Sequence, residues 1–364
     1  MKIGTLVNIL EREVPSHTAE SWDNVGLLIG DTSTEVSGIM TALDCTMEVV
    51  EEAIASNCNT IICHHPLIFS GIKSIINQGQ GAIIHKIIQQ KMNVIAMHTN
   101  LDKHPQGVNA MLATTLGLEN QRLLCTEQEA YYKVQVFIPE ENAEAFKAGI
   151  VAEGYATEGE YESVFFNARG KGQFKPVGDA NPHIGALGEV TYVDELKIEF
   201  MIRAEAKAHV TQLIEQLHPY ETPVYDFIAL ERTAPFGLGM MGELPEAMSV
   251  SSFVQQAKSN LDMPSVRFIG NRHAQIKTVA LVGGAGVGEA YHAASKGADL
   301  FVTGDVKHHE ALDAKIDGIN ILDINHYGEY VMKKGLKTLL GTWLSGHDVH
   351  IEASTAHTDP YDYM

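Results

Sequence analysis

The sequence predicts an α/β protein in which two similar halves form one domain and a smaller α+β domain is inserted between them. Three observations lead to this prediction. The first third of the 364-residue chain alternates strand and helix patterns, the last third repeats that alternation, and the middle follows another order. Strands that alternate with helices indicate βαβ units and a mainly parallel sheet.

The first third contains short apolar runs separated by amphipathic segments. Runs rich in β-branched residues predict strands over residues 36–43, 60–63 and 94–97. Apolar residues at helical spacing predict helices over residues 47–55, 83–90 and 108–116. Each predicted strand is therefore followed by a helix, as a parallel sheet requires.

The last third repeats the same pattern. It predicts strands over residues 277–282, 299–302, 319–324 and 349–352, and helices over residues 286–296, 308–315 and 327–340. In both thirds one strand leads to a histidine, His98 in the first and His326 in the last. We interpret this as a weak internal duplication whose halves meet around one site, although βαβ units also resemble one another by chance.

The middle of the chain has a different order. Its predicted elements are a strand over 133–138, a helix over 142–153, a glycine-rich β segment up to 174, strands over 188–192 and 197–202, a helix over 207–217 and a strand over 224–229. This order is typical of a ferredoxin-like, split βαβ unit. We therefore expect a first α/β half over 1–128, an inserted domain over 129–233 and a second α/β half over 234–364.

The composition excludes several classes of protein. The chain has 26 Lys plus Arg against 46 Asp plus Glu, a formal net charge of −20, which argues against a nucleic-acid-binding surface. A hydrophobic content of 45% rules out global disorder. No apolar run approaches the roughly 18–20 residues of a membrane span. With no signal-peptide core and four scattered cysteines without a CxxC pair, we expect a cytoplasmic protein.

Two histidines form the strongest local signal. Cys63-His64-His65-Pro66 follows an apolar strand directly, and ligand sites of open α/β sheets lie at the carboxyl ends of strands. Adjacent histidines point in different directions, so each of them could serve a different metal ion. Alone, the pair would also fit two ordinary loop histidines.

Two further clusters follow predicted strands. In His98-Thr99-Asn100-Leu101-Asp102, the carboxylate of Asp102 is the oxygen ligand that complements imidazole at Zn, Mn or Fe sites, and His98 is either a ligand or its outer partner. In Asn325-His326-Tyr327-Gly328-Glu329, a helix would place His326 and Glu329 on one face. Each cluster alone also fits a capped helix, but three clusters at three strand ends favour a dinuclear metal site.

Two other motifs are weaker. Gly304-Asp305-Val306-Lys307-His308-His309-Glu310 also follows a strand, and we place Asp305 and His308 outside the ligand set as substrate-binding or proton-transfer candidates. The glycine-rich run 283–288 opens a helix after a strand, so it is either a phosphate cradle or a tight turn. It matches neither GxGxxG nor a P-loop.

These motifs resemble the GTP cyclohydrolase 1 type 2 homologue family, also called NGG-interacting-factor-three-like proteins. The resemblance rests on Ser21-Trp22-Asp23-Asn24-Val25-Gly26-Leu27, then CHHPLIF, HTNLD, GDVKHHEAL and NHYGE in that order. In the middle, Gly172-Gln173-Phe174-Lys175-Pro176, Gly178-Asp179-Ala180-Asn181-Pro182 and HPYE resemble the PII-like insertion of the longer bacterial members. The resemblance therefore spans essentially the whole chain.

The resemblance implies an α/β fold that binds two divalent metal ions per subunit and assembles as a toroidal homohexamer. Zinc is the first expectation, with manganese or iron as alternatives. The implied ligands fall on His64, His65, Asp102, His326 and Glu329. Many members have four positions from the histidine to the glutamate where this chain has three, and both spacings keep one helical face.

Two functions remain open on the sequence. One is a metal-dependent hydrolase that acts on a nucleotide or related small molecule, with GTP cyclohydrolase chemistry as one form and His98 or His308 moving protons. The other is a non-catalytic metal-handling or regulatory hub in which the PII-like insertion senses a ligand.

Overall fold

The computed structural model describes all 364 residues, Met1–Met364. The chain forms two compact units, one made of Met1–Glu127 with Pro235–Met364 and the other of Gln128–Ala234. The fold is mixed α/β. None of its helices combines the length and the apolar character that a membrane crossing requires.

The strands are β1 (Gly26–Ile29), β2 (Ile39–Ala42), β3 (Thr60–Cys63), β4 (Asn93–Ala96), β5 (Glu119–Pro139), β6 (Phe166–Phe174), β7 (Thr191–Arg203), β8 (Val224–Ser249), β9 (Arg267–Ile269), β10 (Gln275–Leu281), β11 (Leu300–Thr303), β12 (Ile321–Asp323) and β13 (Ile351–Ala353). The boundary between the units falls within β5 and β8 on either side of Gln128–Ala234.

The α-helices are α1 (Ile3–Glu13), α2 (Met47–Ala55), α3 (Gln80–Gln89), α4 (Thr99–Lys103), α5 (Val108–Thr115), α6 (Ala143–Ala152), α7 (Lys207–Leu217), α8 (Val250–Asn260), α9 (Ala290–Ser295), α10 (His308–Ile316) and α11 (Met332–Trp343). Short 3₁₀ helices occupy Ser16–Thr18, Glu140–Asn142, Ala204–Ala206, Val287–Glu289 and His326–Val331.

The larger unit contains a five-stranded sheet in the order β1-β4-β3-β2-β13. Its central strands β2, β3 and β4 are parallel and buried at every position, because helices cover both faces. On one face Ile39, Ile62 and Ile95 pack with residues of α1 and α11. On the other, Ile61 and Val94 pack with residues of α2 and α3.

The last strand of the chain completes this first sheet. β13 pairs in parallel with β2, with Ile351 opposite Ile39. The apolar face of α11, which includes Leu336 and Leu340, packs in the same core as Leu6 of α1. The C-terminal segment is therefore part of the structure that forms around the first strands.

The second sheet of the larger unit runs in the order β8-β10-β11-β12-β9. β10, β11 and β12 are parallel, whereas β8 and β9 pair antiparallel at the two sides. With β1 also antiparallel to β4, the sheets are mixed rather than uniformly parallel. The three parallel strands end at one edge, which is where the last of the predicted clusters begins.

The smaller unit follows the order β5, α6, β6, β7, α7, β8 along the chain. β7 pairs antiparallel with both β5 and β6. The helices contribute Phe146 and Ile214 to a core with Val134, Ile198 and Phe200 of the strands. This unit therefore has its own apolar core.

One expectation in this unit is wrong. The strands predicted over residues 188–192 and 197–202 form the single strand β7. The pairing explains the continuity, because Thr191 lies opposite Phe174 of β6 and Glu195 lies opposite Pro139 of β5. Hydrogen-bonding partners on both sides hold the segment between the two predicted strands in an extended conformation.

Candidate metal centre

The predicted clusters lie at the carboxyl ends of strands in the larger unit. His64 and His65 follow β3, and His98 and Asp102 follow β4 in the same sheet. His326 and Glu329 follow β12 and form one turn of the 3₁₀ helix His326–Val331. The structure brings His64, His65, Asp102, His326 and Glu329 together, and we call this cluster the candidate metal centre.

Glu329 occupies the middle of the cluster. Its side chain is almost fully buried, and its Oε2 lies 3.2 Å from His65 Nε2, 3.4 Å from His326 Nε2 and 3.8 Å from His64 Nε2. Residues three apart eclipse in a 3₁₀ helix, which explains why His326 and Glu329 face the same point. The sequence predicted an α-helix over residues 327–340, whereas α11 begins only at Met332.

Two buried polar atoms in the cluster have no hydrogen-bond partner. They are Nε2 of His64 and Oδ1 of Asp102, which lie 3.5 Å apart. A buried polar group without a partner costs about 1–3 kcal/mol, so native proteins leave few of them. A cation between these two atoms would satisfy both.

Each histidine ring is held through its Nδ1 atom. The acceptors are Met97 O for His64 at 2.9 Å, Asp44 Oδ1 for His65 at 2.7 Å, Asp23 Oδ1 for His98 at 2.8 Å and Asp305 Oδ2 for His326 at 2.7 Å. Carbonyl and carboxylate oxygens cannot donate, so each Nδ1 carries the hydrogen. In its neutral form each ring therefore presents the lone pair of Nε2, which is the arrangement of metal-ligating histidines.

The spacing of the ligand atoms fits divalent ions. Three groups of side chains each bring one possible ligand atom per residue within 4.8 Å of the others. The groups are His64 with Asp102 and Glu329, His65 with His326 and Glu329, and His64 with His65 and His98. Two ligands of a tetrahedral zinc ion are about 3.4 Å apart. Glu329 belongs to the first two groups, so one carboxylate could serve two ions.

Burial and mutual contacts move the pKa values of these groups in opposite directions. Burial lowers the pKa of His64 to about 3, so its ring is neutral. Burial raises the pKa of Asp102 well above its usual range, and the nearby charge of Glu329 raises it further. For His65, burial is outweighed by the hydrogen bonds to Asp44 and Glu329, which raise its pKa to about 10.

Sequence reasoning missed the carboxylates that orient two of the histidines. Asp44 follows β2 by two residues, holds His65 and accepts a hydrogen bond from Thr358 Oγ1 at 2.5 Å. Asp23 holds His98 and accepts hydrogen bonds from the backbone N–H of Thr99 at 3.0 Å and from its hydroxyl at 2.6 Å. The strand-end rule could have found Asp44, but no local signal points to Thr358.

The glycine-rich run after β10 approaches the centre with its backbone. A Cβ on Gly283 would lie 2.9 Å from Glu329 Oε1, and one on Gly284 would lie 2.8 Å from the same atom. The amides of Gly283 and Gly286 donate to Asn109 Oδ1 and Thr303 Oγ1. Small residues are therefore needed here to leave room for the buried carboxylate.

The remaining candidates lie at different places. Asp305 is hydrogen-bonded to His326, and His98 lies beside His64 and His65. His308 is the first residue of α10, is exposed, and its ring contacts that of His309. It is not among the side chains that share the centre.

An exposed aromatic ring, that of Trp22, lies next to His98, and a second, that of Phe69, lies next to Trp22. Trp22 is 58% exposed, and its ring centroid is 6.1 Å from that of His98 and 5.9 Å from that of Phe69, which is 50% exposed. Exposed large aromatic side chains in a cluster often mark a binding surface. The pair, whose ring planes are tilted by 44°, offers an apolar surface beside His98.

Comparison with known proteins identifies close relatives over the full length. The family model Duf34/NIF3 (NGG1p interacting factor 3) matches residues 1–360. A protein of Staphylococcus aureus (strain MRSA252) named GTP cyclohydrolase 1 type 2 homolog is 56% identical over 366 residues, covering 100% of both chains. A protein of Staphylococcus epidermidis (strain ATCC 12228 / FDA PCI 1200) with the same name is 53% identical over 365 residues, again covering 100% of both.

Solved structures agree with these similarities. The crystal structure of Staphylococcus aureus protein SA1388 is 51% identical, has a TM-score of 0.87 and covers 100% of this chain and 99% of that chain. A Bacillus cereus protein related to NIF3 is 36% identical with a TM-score of 0.79 and the same coverage. The fold described above is therefore the fold of these relatives.

Proposed function

The chain belongs to the Duf34/NIF3 family, and from that premise we propose that it is a metal-dependent hydrolase acting on a nucleotide or a related small molecule. One observation carries the proposal. Glu329 lies in two groups of potential ligands at once, while His64 Nε2 and Asp102 Oδ1 in one of these groups are buried without a partner. Such a centre would hold two divalent ions, with Glu329 contributing to both.

The proposed ligands divide between the two ions. His64, Asp102 and Glu329 would hold one ion, and His65, His326 and Glu329 would hold the other. Nitrogen and oxygen donors of this kind suit zinc, which we propose first, and also manganese or iron. Three protein ligands per ion would leave room for water or substrate, as in catalytic rather than structural zinc sites.

The side chains around the ions have separate roles in the proposed reaction. Bound divalent ions supply Lewis acidity and lower the pKa of nearby water. Asp44 and Asp305 fix the orientation of His65 and His326 through their Nδ1 atoms. His98, held by Asp23 beside the centre, is the residue that we propose to accept or return a proton.

The aromatic pair Trp22 and Phe69 favours a planar substrate. Both rings are exposed, Trp22 contacts His98, and Phe69 contacts Trp22. A purine base stacked on this surface would place its reacting atoms towards the metal centre. GTP is the first substrate to test, with hydrolytic opening of the five-membered purine ring as the first reaction and phosphoester hydrolysis as the second.

Turnover of a nucleotide panel by the metal-loaded protein tests this function. We expect turnover by the wild type, loss of turnover in His65→Ala, and unchanged turnover in His347→Ala, which removes an exposed histidine outside the centre. Trp22→Ala should raise KM more than it lowers kcat, because it removes only binding surface. No turnover of any nucleotide by protein that holds its metal would refute the hydrolase proposal.

A second candidate function is a non-catalytic metal-handling or regulatory role. The smaller unit favours it, because that unit has its own core and a cavity of its own. In this reading residues 129–233 form a PII-like sensor inserted in the chain, and six subunits form a ring. This second function predicts that the protein holds its metal but turns over no nucleotide. Light scattering should give the mass of six chains, and that mass should change when a chelator removes the metal.

A further inference from the structure

The unit Gln128–Ala234 contains a cavity of about 410 Å³, and no residue of the candidate metal centre lines it. Small-molecule sites typically measure about 300–1,000 Å³. Most of the lining residues come from the segments 172–176, 180–183 and 218–221, to which the proposed hydrolase reaction assigns no role. The cavity lies wholly within this one unit.

A buried carboxylate faces the cavity. Glu195 of β7 is 9% exposed, and its Oε1 accepts a hydrogen bond from the hydroxyl of Tyr220 at 3.0 Å. Its Oε2 accepts no hydrogen bond from the protein. A carboxylate oxygen at the wall of a cavity that takes no hydrogen bond from the protein is free to accept one from a ligand, so Glu195 Oε2 is positioned to receive one.

Aromatic rings line the same cavity as this carboxylate. The ring of Tyr220 lies 5.8 Å from that of Phe174 and 6.3 Å from that of His183, measured between centroids. His218 fixes Tyr220, because its Nε2 donates to Phe137 O at 2.9 Å and its Nδ1 accepts from the backbone N–H of Tyr220 at 3.1 Å. Faces of aromatic rings attract cations, most strongly when water is excluded.

The space for the carboxylate depends on one glycine. A Cβ on Gly172 would overlap Oε2 of Glu195, so the carboxylate of Glu195 would have to move from its present position. Gly170, two residues earlier in β6, has open space at the corresponding position. Gly172 therefore has to be glycine to leave space for Glu195, whereas Gly170 does not.

The side chains that line the cavity favour an organic cation over a metal ion as its ligand. Glu195 belongs to none of the groups of His, Cys, Asp and Glu that lie close enough to share an ion. The other charged groups at the lining are Lys175, which is exposed, and Glu221, which accepts a hydrogen bond from the backbone N–H of Asn181 at 3.1 Å. The buried charge is thus negative.

We propose that this cavity binds a small organic cation, an ammonium or amidinium group carried on a planar or apolar body. The cationic group donates to Glu195 Oε2, and the body packs against Phe174 and Tyr220. The proposal goes beyond the metal-dependent function and does not depend on it, because none of these residues belongs to the metal centre.

Calorimetry on the full-length, metal-loaded protein tests the proposal with a matched pair of probes. Benzamidinium is a planar cation, and benzamide is its neutral counterpart of nearly the same shape. We expect saturable binding of benzamidinium and binding of benzamide that is weaker by at least about tenfold, since the charge-assisted hydrogen bond to Glu195 is lost.

Variants locate the binding in the cavity. Glu195→Gln keeps the size of the side chain and an acceptor for Tyr220 but removes the charge, so the affinity for benzamidinium should fall by at least about tenfold. Gly172→Ala should have a similar effect, whereas Gly170→Ala should leave the affinity unchanged. If Gly172→Ala fails to fold, the comparison of probes and the Glu195→Gln variant still decide the question.

Metal content, measured on the same samples, separates this proposal from the proposed function. The expected result is full metal content in every variant of the cavity. Absence of saturable benzamidinium binding, equal affinity for benzamide, or undiminished affinity in Glu195→Gln would each overturn the proposal, whatever the outcome of the turnover experiment.

Discussion

Gly284 shows how a single residue controls the candidate metal centre. Its φ is +57°, and a Cβ would lie 2.8 Å from Oε1 of the buried Glu329. Glu329 cannot move away easily, because Oε2 of the same carboxylate lies near three histidines. The residue is therefore glycine for two reasons, the backbone conformation and the space.

We expect Gly284→Ala to displace Glu329 and reduce the metal content of the purified protein. Positive φ in a residue with a side chain costs about 1 kcal/mol, so the free energy of unfolding should fall as well. Gly288→Ala, where a Cβ meets nothing within 4 Å, is the matched control and should bind metal as the wild type does.

A second control separates the effect of backbone strain at positive φ from the effect of displacing Glu329. Gly297 has a φ of +87° with nothing within 4 Å of a Cβ, so Gly297→Ala should lose stability but keep its metal. The measurements are elemental analysis and chemical denaturation. Full metal content in Gly284→Ala would show that Glu329 tolerates the intrusion.

At the scale of elements, the C-terminal tail (residues 354–364) connects α2 with the metal centre. Glu52 of α2 accepts hydrogen bonds from the backbone N–H of Thr355 at 2.8 Å and from its hydroxyl at 2.6 Å, and also from the Ser354 hydroxyl. Further along the tail, Thr358 donates to Asp44, which orients His65. Glu52 thus holds the segment that supports one of the proposed ligands.

The stability contributed by Glu52 should depend on pH. Burial would raise its pKa, but the hydrogen bonds from Ser354, Thr355 and Ala356 outweigh burial and lower the pKa from 4.5. A lowered pKa in the folded state means that the stabilisation is present above the unfolded pKa and is lost as the pH falls through the folded pKa.

Glu52→Gln should therefore lower the free energy of unfolding by about 1 kcal/mol at pH 7, because the group is partly exposed. The difference from wild type should shrink as the pH falls below 4.5 and the wild-type carboxyl becomes neutral. Urea denaturation at several pH values measures this. Glu51→Gln, an exposed neighbour on the same helix, is the control, and equal losses in the two variants would contradict the assignment.

At the scale of the whole molecule, the candidate metal centre joins distant parts of the sequence. His64 and Asp102 come from the first third of the chain, and His326 and Glu329 come from the last. The same parts share the first sheet, where β13 pairs with β2. The unfolded chain cannot present these ligands together, so metal should bind the folded state selectively.

Removal of metal should accordingly lower the melting temperature. A ligand at a free concentration of 100 times its Kd stabilises the folded state by about 3 kcal/mol per site. Differential scanning calorimetry with and without a chelator measures the change, and Glu329→Gln should show little response. A chelator that leaves the wild-type melting temperature unchanged would contradict a structural link between metal and fold.

Local residue patterns predicted many strands and helices, whereas the other features of the fold and of the candidate metal centre depend on contacts between residues distant in sequence. The strand Thr60–Cys63 and the helix Lys207–Leu217 have the bounds that their residue patterns predict, because each is defined by its own apolar residues. The hydrogen bond from Thr358 to Asp44 joins residues 314 positions apart, and no local pattern indicates it. The 3₁₀ turn at His326 was also missed, since residues three apart share a face in either helix type.

The most direct test of this account is the number of metal ions bound per chain, measured by elemental analysis after loading with zinc, manganese or iron and removal of free metal. We predict two ions in the wild type, about one in Asp102→Asn, which affects one proposed ion, and fewer than one in Glu329→Gln, which affects both. A wild type that binds a single ion or none with every metal, or a Glu329→Gln variant that retains two, would contradict the shared carboxylate on which the account depends.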